Sequence, residues 1–399
     1  MKNLYKIIPP SRARYSGRFT RELLDELMFR GDPEADEATV ALQEEKYDPD
    51  GSQLQNLRKL AQDGESRAVA FFERAEHRPD WFRPELIEKG QSVALSFSHH
   101  YGISLMHSLF SGAVFGRATL VTNSTGRLGS NPARRIQETG SFIGAILAPG
   151  GLEPGNLGFE TAVRVRLLHG SIRSWIKRSP GFTEAYVGEP LDQTMLAMTL
   201  GLFDYLNLRS MSRLGVPLSR EDIDAHHHLW RYVGYLLGIE DVLLTESIEE
   251  ERDLWSALVA HQAFPDLFGE TFLDIVVGTV AQLMQTGALP DSVVRNTFLH
   301  LSGGEWFQTS ESLLPDPFLS AFRAGSFAVG SARQWVPGVS DAMQMYGAGA
   351  LGKARQMAEE HKFGVTLELE ENAAEREALF QSLATGIQVH FKDVAAPTL

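Results

Sequence analysis

The 399-residue chain reads as an all-α protein. Apolar residues recur at helical spacing along most of its length, period-two alternation is nearly absent, and Gly/Pro clusters separate one helical stretch from the next. Thr20–Phe29 is a short helix closed by the turn Gly31-Asp32-Pro33. Gln53–Glu76 is helical, and the turn Arg78-Pro79-Asp80 leads to a new start at Trp81. Further helices fill Pro84–Phe115, Pro132–Leu147, Glu160–Lys177, Asp192–Leu214, Ser219–Leu237, Glu249–Ala260 and Phe268–Gln285. Ser219-x-x-Asp222 resembles a capping box with an aspartate as its acid. Only Arg117–Asn123 and Phe363–Leu369 look strand-like, and Glu368–Glu377 reads as one solvated helix face. The expected organisation is a single helical domain over residues 1–399, with a core at 60–290, an N-terminal extension at 1–59 and a C-terminal extension at 291–399.

Composition narrows the function classes. Hydrophobic residues at 43% and charged ones at 22% are globular values, so wholesale disorder is excluded. A net charge of −14, from 37 basic and 51 acidic residues, supplies no footprint for general nucleic-acid binding. The chain has no cysteine, which removes disulfides, thiolate-held metals and clusters, and cysteine nucleophiles. Any metal must be held by histidine, carboxylates or a macrocycle. No apolar run reaches the ~20 residues that span a bilayer. The nearest are Ser141–Ala148, stopped by Pro149, and Phe272–Met284, which is interrupted by Asp274 and reads as a buried core helix. The opening residues contain Pro9-Pro10 and no apolar h-region, so the expectation is a soluble, cytoplasmic protein.

The most informative segment is Glu160–Lys177, ETAVRVRLLHGSIRSWIK. Val165, Leu168, His169, Ile172 and Ile176 share one helical face, while Arg166, Arg173 and Lys177 occupy another and Arg164 lies nearby. An imidazole in an apolar wall beside guanidinium groups suits haem, with the imidazole on iron and the arginines on propionates. The same pattern also fits a core histidine satisfied by one hydrogen bond. A second segment, TGRLGSNPARRIQETGSFIGAIL, places Thr125–Leu128 in a turn and Arg134, Arg135, Glu138 and Thr139 on a helix ahead of Ile136, Ile143 and Leu147. A carboxylate near a helix start is also stabilised by the helix dipole without any function.

Other motifs carry less. His226-His227-His228 point ~100° apart on a helix and cannot converge on one ion. His100 and His107 share a face but stand ~10 Å apart along the axis. Gly347-Ala-Gly-Ala-Leu-Gly352-Lys353-Ala354 fits Gly-x-Gly-x-x-Gly, and also an incomplete phosphate loop with Ala354 where a hydroxyl should be. No apolar strand precedes it, so it reads as a tight turn into a helix at Lys353–Glu360. No Gly-x-Ser-x-Gly occurs to support serine hydrolase chemistry.

Taken in order, several elements form a set: Gly31-Asp32-Pro33-x-x-Asp36, Pro79-x-Trp81, Arg135/Glu138/Thr139, Arg164/Arg166/His169/Arg173, Gly188/Pro190/Gln193 and Trp230/Arg231/Gly234/Gly238/Ile239. This set resembles the rubber oxygenase catalytic-domain family, which includes the latex clearing proteins and a fungal ER-bound oxygenase. The resemblance implies a globin-like helical core around a haem pocket at 60–290, haem b as cofactor and His169 as the axial iron ligand. It also implies Glu138 and Thr139 on the catalytic distal side, and Arg135, Arg164, Arg166 and Arg173 around the cofactor. Glu138 departs from the family pattern, standing where latex clearing proteins carry a lysine; a carboxylate cannot act as an amine ligand but can act as an acid or base. The implied activity is oxidation of an apolar small molecule with O2 or peroxide. The alternative is a helical carrier of haem or an apolar ligand without turnover.

Overall fold

The computed structural model describes residues 5–7, 13–45, 52–124, 132–179, 187–264, 272–274, 276–278, 291–302, 307–309 and 317–360. Among these residues the architecture is all-α, with one short antiparallel ribbon pairing β1 (Tyr5–Ile7) with β2 (Phe307–Thr309). The helices are α1 (Arg21–Leu27), α2 (Pro33–Glu44), α3 (Gln53–Gln62), α4 (Ser66–Glu76), α5 (Pro84–Ser96), α6 (Ser98–Ser111), α7 (Gly116–Ser124) and α8 (Pro132–Leu147). They continue with α9 (Leu157–Lys177), α10 (Gln193–Phe203), α11 (Tyr205–Arg213), α12 (Arg220–Leu236), α13 (Ile248–Gln262), α14 (Asp291–Ser302), α15 (Pro317–Trp335) and α16 (Val339–Glu360). Thr125–Leu128, Phe363–Leu369, Glu368–Glu377 and most of Phe268–Gln285 lie outside the described residues.

Local chemistry accounts for most boundaries. The Ser219 hydroxyl accepts from Asp222 N–H and the Asp222 carboxylate from Ser219 N–H, both at 3.1 Å, completing the capping box. Three stretches expected as single helices are each broken in two. Gly64, at φ +86°, separates α3 from α4. Phe97 and Asp204, both with non-helical backbone, divide α5 from α6 and α10 from α11. Gly31-Asp32-Pro33 does not simply close a helix; Asp32 caps α2 by accepting from Ala35 N–H, and Pro33 occupies the first turn. Arg117–Asn123 is helical rather than extended, because Leu120 and Val121 pack in an apolar cluster while Arg117 is anchored at Asp192. Gly347–Gly352 lies within α16 and forms no phosphate loop; a Cβ on Gly347 would collide with the Leu95 carbonyl of α5.

Helix α12 runs through the centre with buried residues on every side. It crosses α5 at Gly90, where a Cβ would lie 2.6 Å from Ala225 O. Phe19, Leu27, Ala38 and Leu57, from the expected N-terminal extension, share the buried core with Leu167, Leu229 and Trp230.

Helices α2 and α9 make the contact that positions α9. Gly170 sits against α2, where a Cβ would meet Ala35 O at 2.6 Å. Arg166, 1% exposed, donates to Asp32 through Nε (2.6 Å) and Nη2 (2.8 Å), and to Glu34 (2.5 Å). Arg173 donates through Nε to Asp36 (2.7 Å) and through Nη1 to Leu191 O (3.0 Å). Gln193 closes the clamp by donating to Gly31 O (2.7 Å) and Gly238 O (3.1 Å) while accepting from Glu240 N–H (2.8 Å). Gly238 has φ +81°, and any Cβ there would strike the Asp32 carboxylate.

Asp32→Ala leaves the buried Arg166 guanidinium without its bidentate partner and should cost about 3 kcal/mol. Urea titration followed by far-ultraviolet circular dichroism would read this as a lower midpoint at unchanged slope. A midpoint equal to the parent's would deny the clamp its role.

Candidate functional site

The site begins at α9. Helical spacing turns Leu168, Ile172 and Ile176 into a second apolar cluster, separate from the main core, with Met28, Leu120, Val121, Met195 and Phe264. His169 follows Leu168 and stands one helical turn before Ile172, and it is partly buried. On either side of it along the helix, Arg166 and Arg173 turn to α2. These two arginines, expected at the propionates, have their guanidinium groups paired with carboxylates of α2 and sealed from solvent. They hold the helix that carries His169. Arg164, five residues before His169, lies about 140° away around the helix. It is half-buried, and its buried Nε has no hydrogen-bond partner among the described residues.

Helix α8 packs along α9 and carries the second group. Glu138 is 3% exposed, and its Oε1 accepts from Arg134 Nε at 3.2 Å. Thr139 is partly buried beside it. Ile136, Phe142 and Ile143 on the same helix are buried as well. Arg135 belongs to α8, but its side chain lies outside the described residues. Sequence spacing thus brings His169 and Glu138 onto two helices in contact, while Arg166 and Arg173 are drawn to α2.

The donor set fits haem in chemistry: one imidazole on the helix that carries Leu168 and Ile172 of an apolar cluster, a buried guanidinium nitrogen of Arg164 without a partner, and no thiol anywhere in the chain. Arg166 and Arg173 bond carboxylates at the start of α2, and each also keeps one buried nitrogen, Nη1 and Nη2 respectively, without a partner among the described residues.

The histidine triplet is elsewhere and is a buried polar network. His226 Nδ1 and His227 Nδ1 donate to the two oxygens of Asp204, at 3.2 and 2.6 Å. His226 Nε2 accepts from the Tyr101 hydroxyl (3.1 Å), which accepts from Trp230 Nε1–H (2.9 Å). His227 Nε2 donates to Thr245 O, and the Thr245 hydroxyl donates to Glu251 at 2.6 Å. His228 points away and accepts from Arg83 N–H. The triplet diverges, yet two of its members meet on one carboxylate, because Asp204 sits in the break between α10 and α11. His107 is likewise internal, bonded to Ser210 and Ser302, and burial pushes it down to about 3. Spacing alone could not name Asp204 or Glu251, whose partners lie far along the chain.

Burial disfavours the His227 cation, but the adjacent Asp204 carboxylate outweighs it and pushes His227 up to about 9 from 6.5. Burial, then repulsion from Asp204, pushes Glu251 up to about 7 from 4.5. Glu251 therefore stabilises the fold most below pH 4.5 and loses that contribution as pH rises through 7. His227 does the same from 6.5 through 9. The network should make thermal stability fall from mildly acidic to alkaline pH. Glu251→Gln should flatten the lower half of the fall, up to pH 7, and keep the upper half; an unaltered profile in calorimetry would refute the assignment.

Residues 94–339 match a family model described as "ER-bound oxygenase mpaB/B'/Rubber oxygenase, catalytic domain". A rubber oxygenase from Streptomyces sp. (strain K30) is 25% identical over 224 residues, 53% of this chain and 53% of that protein, so the chain spans about half the length of this relative. A solved structure of latex clearing protein LCP in the closed state superposes with a TM-score of 0.57 at 19% identity, covering 82% of this chain and 91% of the other. At that identity the superposition establishes a shared fold.

Proposed function

Since the chain belongs to the ER-bound oxygenase mpaB/B'/rubber oxygenase catalytic-domain family, we propose that it is a b-type haem-dependent oxygenase acting on an apolar small molecule with O2 or peroxide. The observation that carries the proposal is His169, the family-pattern histidine, on the same helix as Leu168, Ile172 and Ile176 of an apolar cluster, a helix held by the α2 clamp. His169 would hold the iron, and Arg164 and Arg135 would serve the propionates. Bound haem would supply the electron-transfer and oxygen chemistry that no side chain here can perform.

The chain's own residues do the rest. The clamp fixes the rotation of α9 and so the direction of the imidazole. Leu168, Ile172, Leu120 and Val121 pack together and keep water from the apolar side. Glu138, buried beside the Arg134 guanidinium, accepts or returns a proton at Oε1 or Oε2, and Thr139 adds a hydroxyl next to it. With Glu138 in place of the family lysine, no amine reaches the distal side from this position.

The protein produced with ample haem should show a Soret band, and its haem should extract into acidic organic solvent because no cysteine can tether it. His169→Ala should abolish haem retention with an unchanged far-ultraviolet spectrum, whereas His77→Ala, at the exposed end of α4, should retain it. Equal retention in both variants would overturn the ligand assignment. Glu138→Gln should load haem normally and slow turnover by ~100-fold or more; unchanged turnover would place the proton elsewhere.

A further inference from the structure

Helices α6 and α11 lie side by side in the core, and polar groups join them at two levels. At one end the Tyr101 hydroxyl is linked through His226 to Asp204, the residue that starts α11. One level further along, His107 Nδ1 of α6 is hydrogen-bonded to Ser210 of α11 at 2.6 Å. Tyr101 goes with Asp204 and His107 with Ser210, so the two helices run parallel in a fixed register.

Midway between these levels stand Ser104 on α6 and Asn207 on α11. A step of three residues turns a side chain by only ~60° around a helix, so each lies on the face that carries its neighbours into the contact. Both are fully enclosed, at 0% exposure. Ser104 Oγ, Asn207 Oδ1 and Asn207 Nδ2 have no hydrogen-bond partner among the described residues, so the two side chains do not bond each other. The next hydroxyls along α6 are satisfied inside the helix: Ser108 donates to Ser104 O (2.9 Å) and Ser111 to His107 O (3.0 Å). Ser104 makes no such bond, and its hydroxyl is directed elsewhere.

Chemistry says what group completes the pair. Asn207 offers two N–H donors and a carbonyl acceptor, and the Ser104 hydroxyl donates or accepts. Neither side chain is charged, so the pair supplies no counter-charge to an ion enclosed there. The two helices pack directly on each other, which excludes an organic molecule between them. A water takes two to four partners of these kinds, and enclosed polar groups without a protein partner are satisfied in this way.

We propose that Ser104 and Asn207 form a binding site for internal water, which bridges the hydroxyl of α6 to the amide of α11. The site stands between two enclosed sets of titratable groups, those around Asp204 and those around His107. It is independent of the haem reading.

Two measurements on the full chain test the site. A high-resolution crystal structure of the unmodified protein should show ordered water within hydrogen-bond distance of both Ser104 and Asn207. A dry contact, or a direct bond between the two side chains, would overturn the proposal. The second measurement uses Ser104→Ala, which adds no bulk. Were the hydroxyl a dry, unpaired group, alanine would remove its burial cost and add helix propensity, and the thermal midpoint would rise. With water bound, the substitution takes away one of the water's partners. The midpoint should then fall, and magnetic relaxation dispersion of the water oxygen should count fewer long-lived internal waters than in the parent. A raised midpoint with an unchanged count would overturn the proposal.

Discussion

A guanidinium sealed from water must be neutralised where it lies, and at Arg166 that requirement organises the surrounding structure. Its bidentate bond to Asp32 joins α9 to the start of α2, in a place where stray charge would cost several kcal/mol. The backbone accommodates the pair: Gly238 leaves room for the Asp32 carboxylate, and Gly170 lets the two helices approach. Gln193 then ties three chain segments together around it. Because Arg166 and Arg173 flank His169 by three and four residues, the same bonds that bury the arginines fix the rotation of the helix that presents the imidazole.

Buried charge is balanced locally at two other places. Arg117 is paired with Asp192 at 2.6 Å with both side chains fully enclosed, and Asp204 is matched by His227. In the cluster around Asp204, Glu251 is pushed up to about 7 and His227 to about 9, so its protonation changes across neutral to alkaline pH. Its distance from the site in function is a consequence of its composition: every donor and acceptor of His226 and His227 is occupied within the network.

Much of the local structure was legible in the residues. The period of Val165, Leu168, Ile172 and Ile176 defined α9 and its apolar face, the Ser219/Asp222 pair marked the start of α12, and cysteine's absence bounded the cofactor chemistry. Helix breaks at Phe97 and Asp204 were not legible, because both lie inside periodic helical runs with no glycine or proline to mark them. Nor could α2 be read: Asp32-Pro33 is as good a turn as it is a helix start, and only its capping bond and its arginine partner decide between them.

By itself the sequence determined the helical class and the placement of His169 on an apolar face of its helix, since each follows from residue type and short-range spacing. Only the tertiary structure decided what the arginines do. Arg164, Arg166 and Arg173 are alike in sequence, but two of them meet carboxylates more than 130 residues away, while each of the three keeps one buried nitrogen without a partner among the described residues. Periodicity specifies the face a side chain occupies; the group it meets there is set by which distant segment packs against that face.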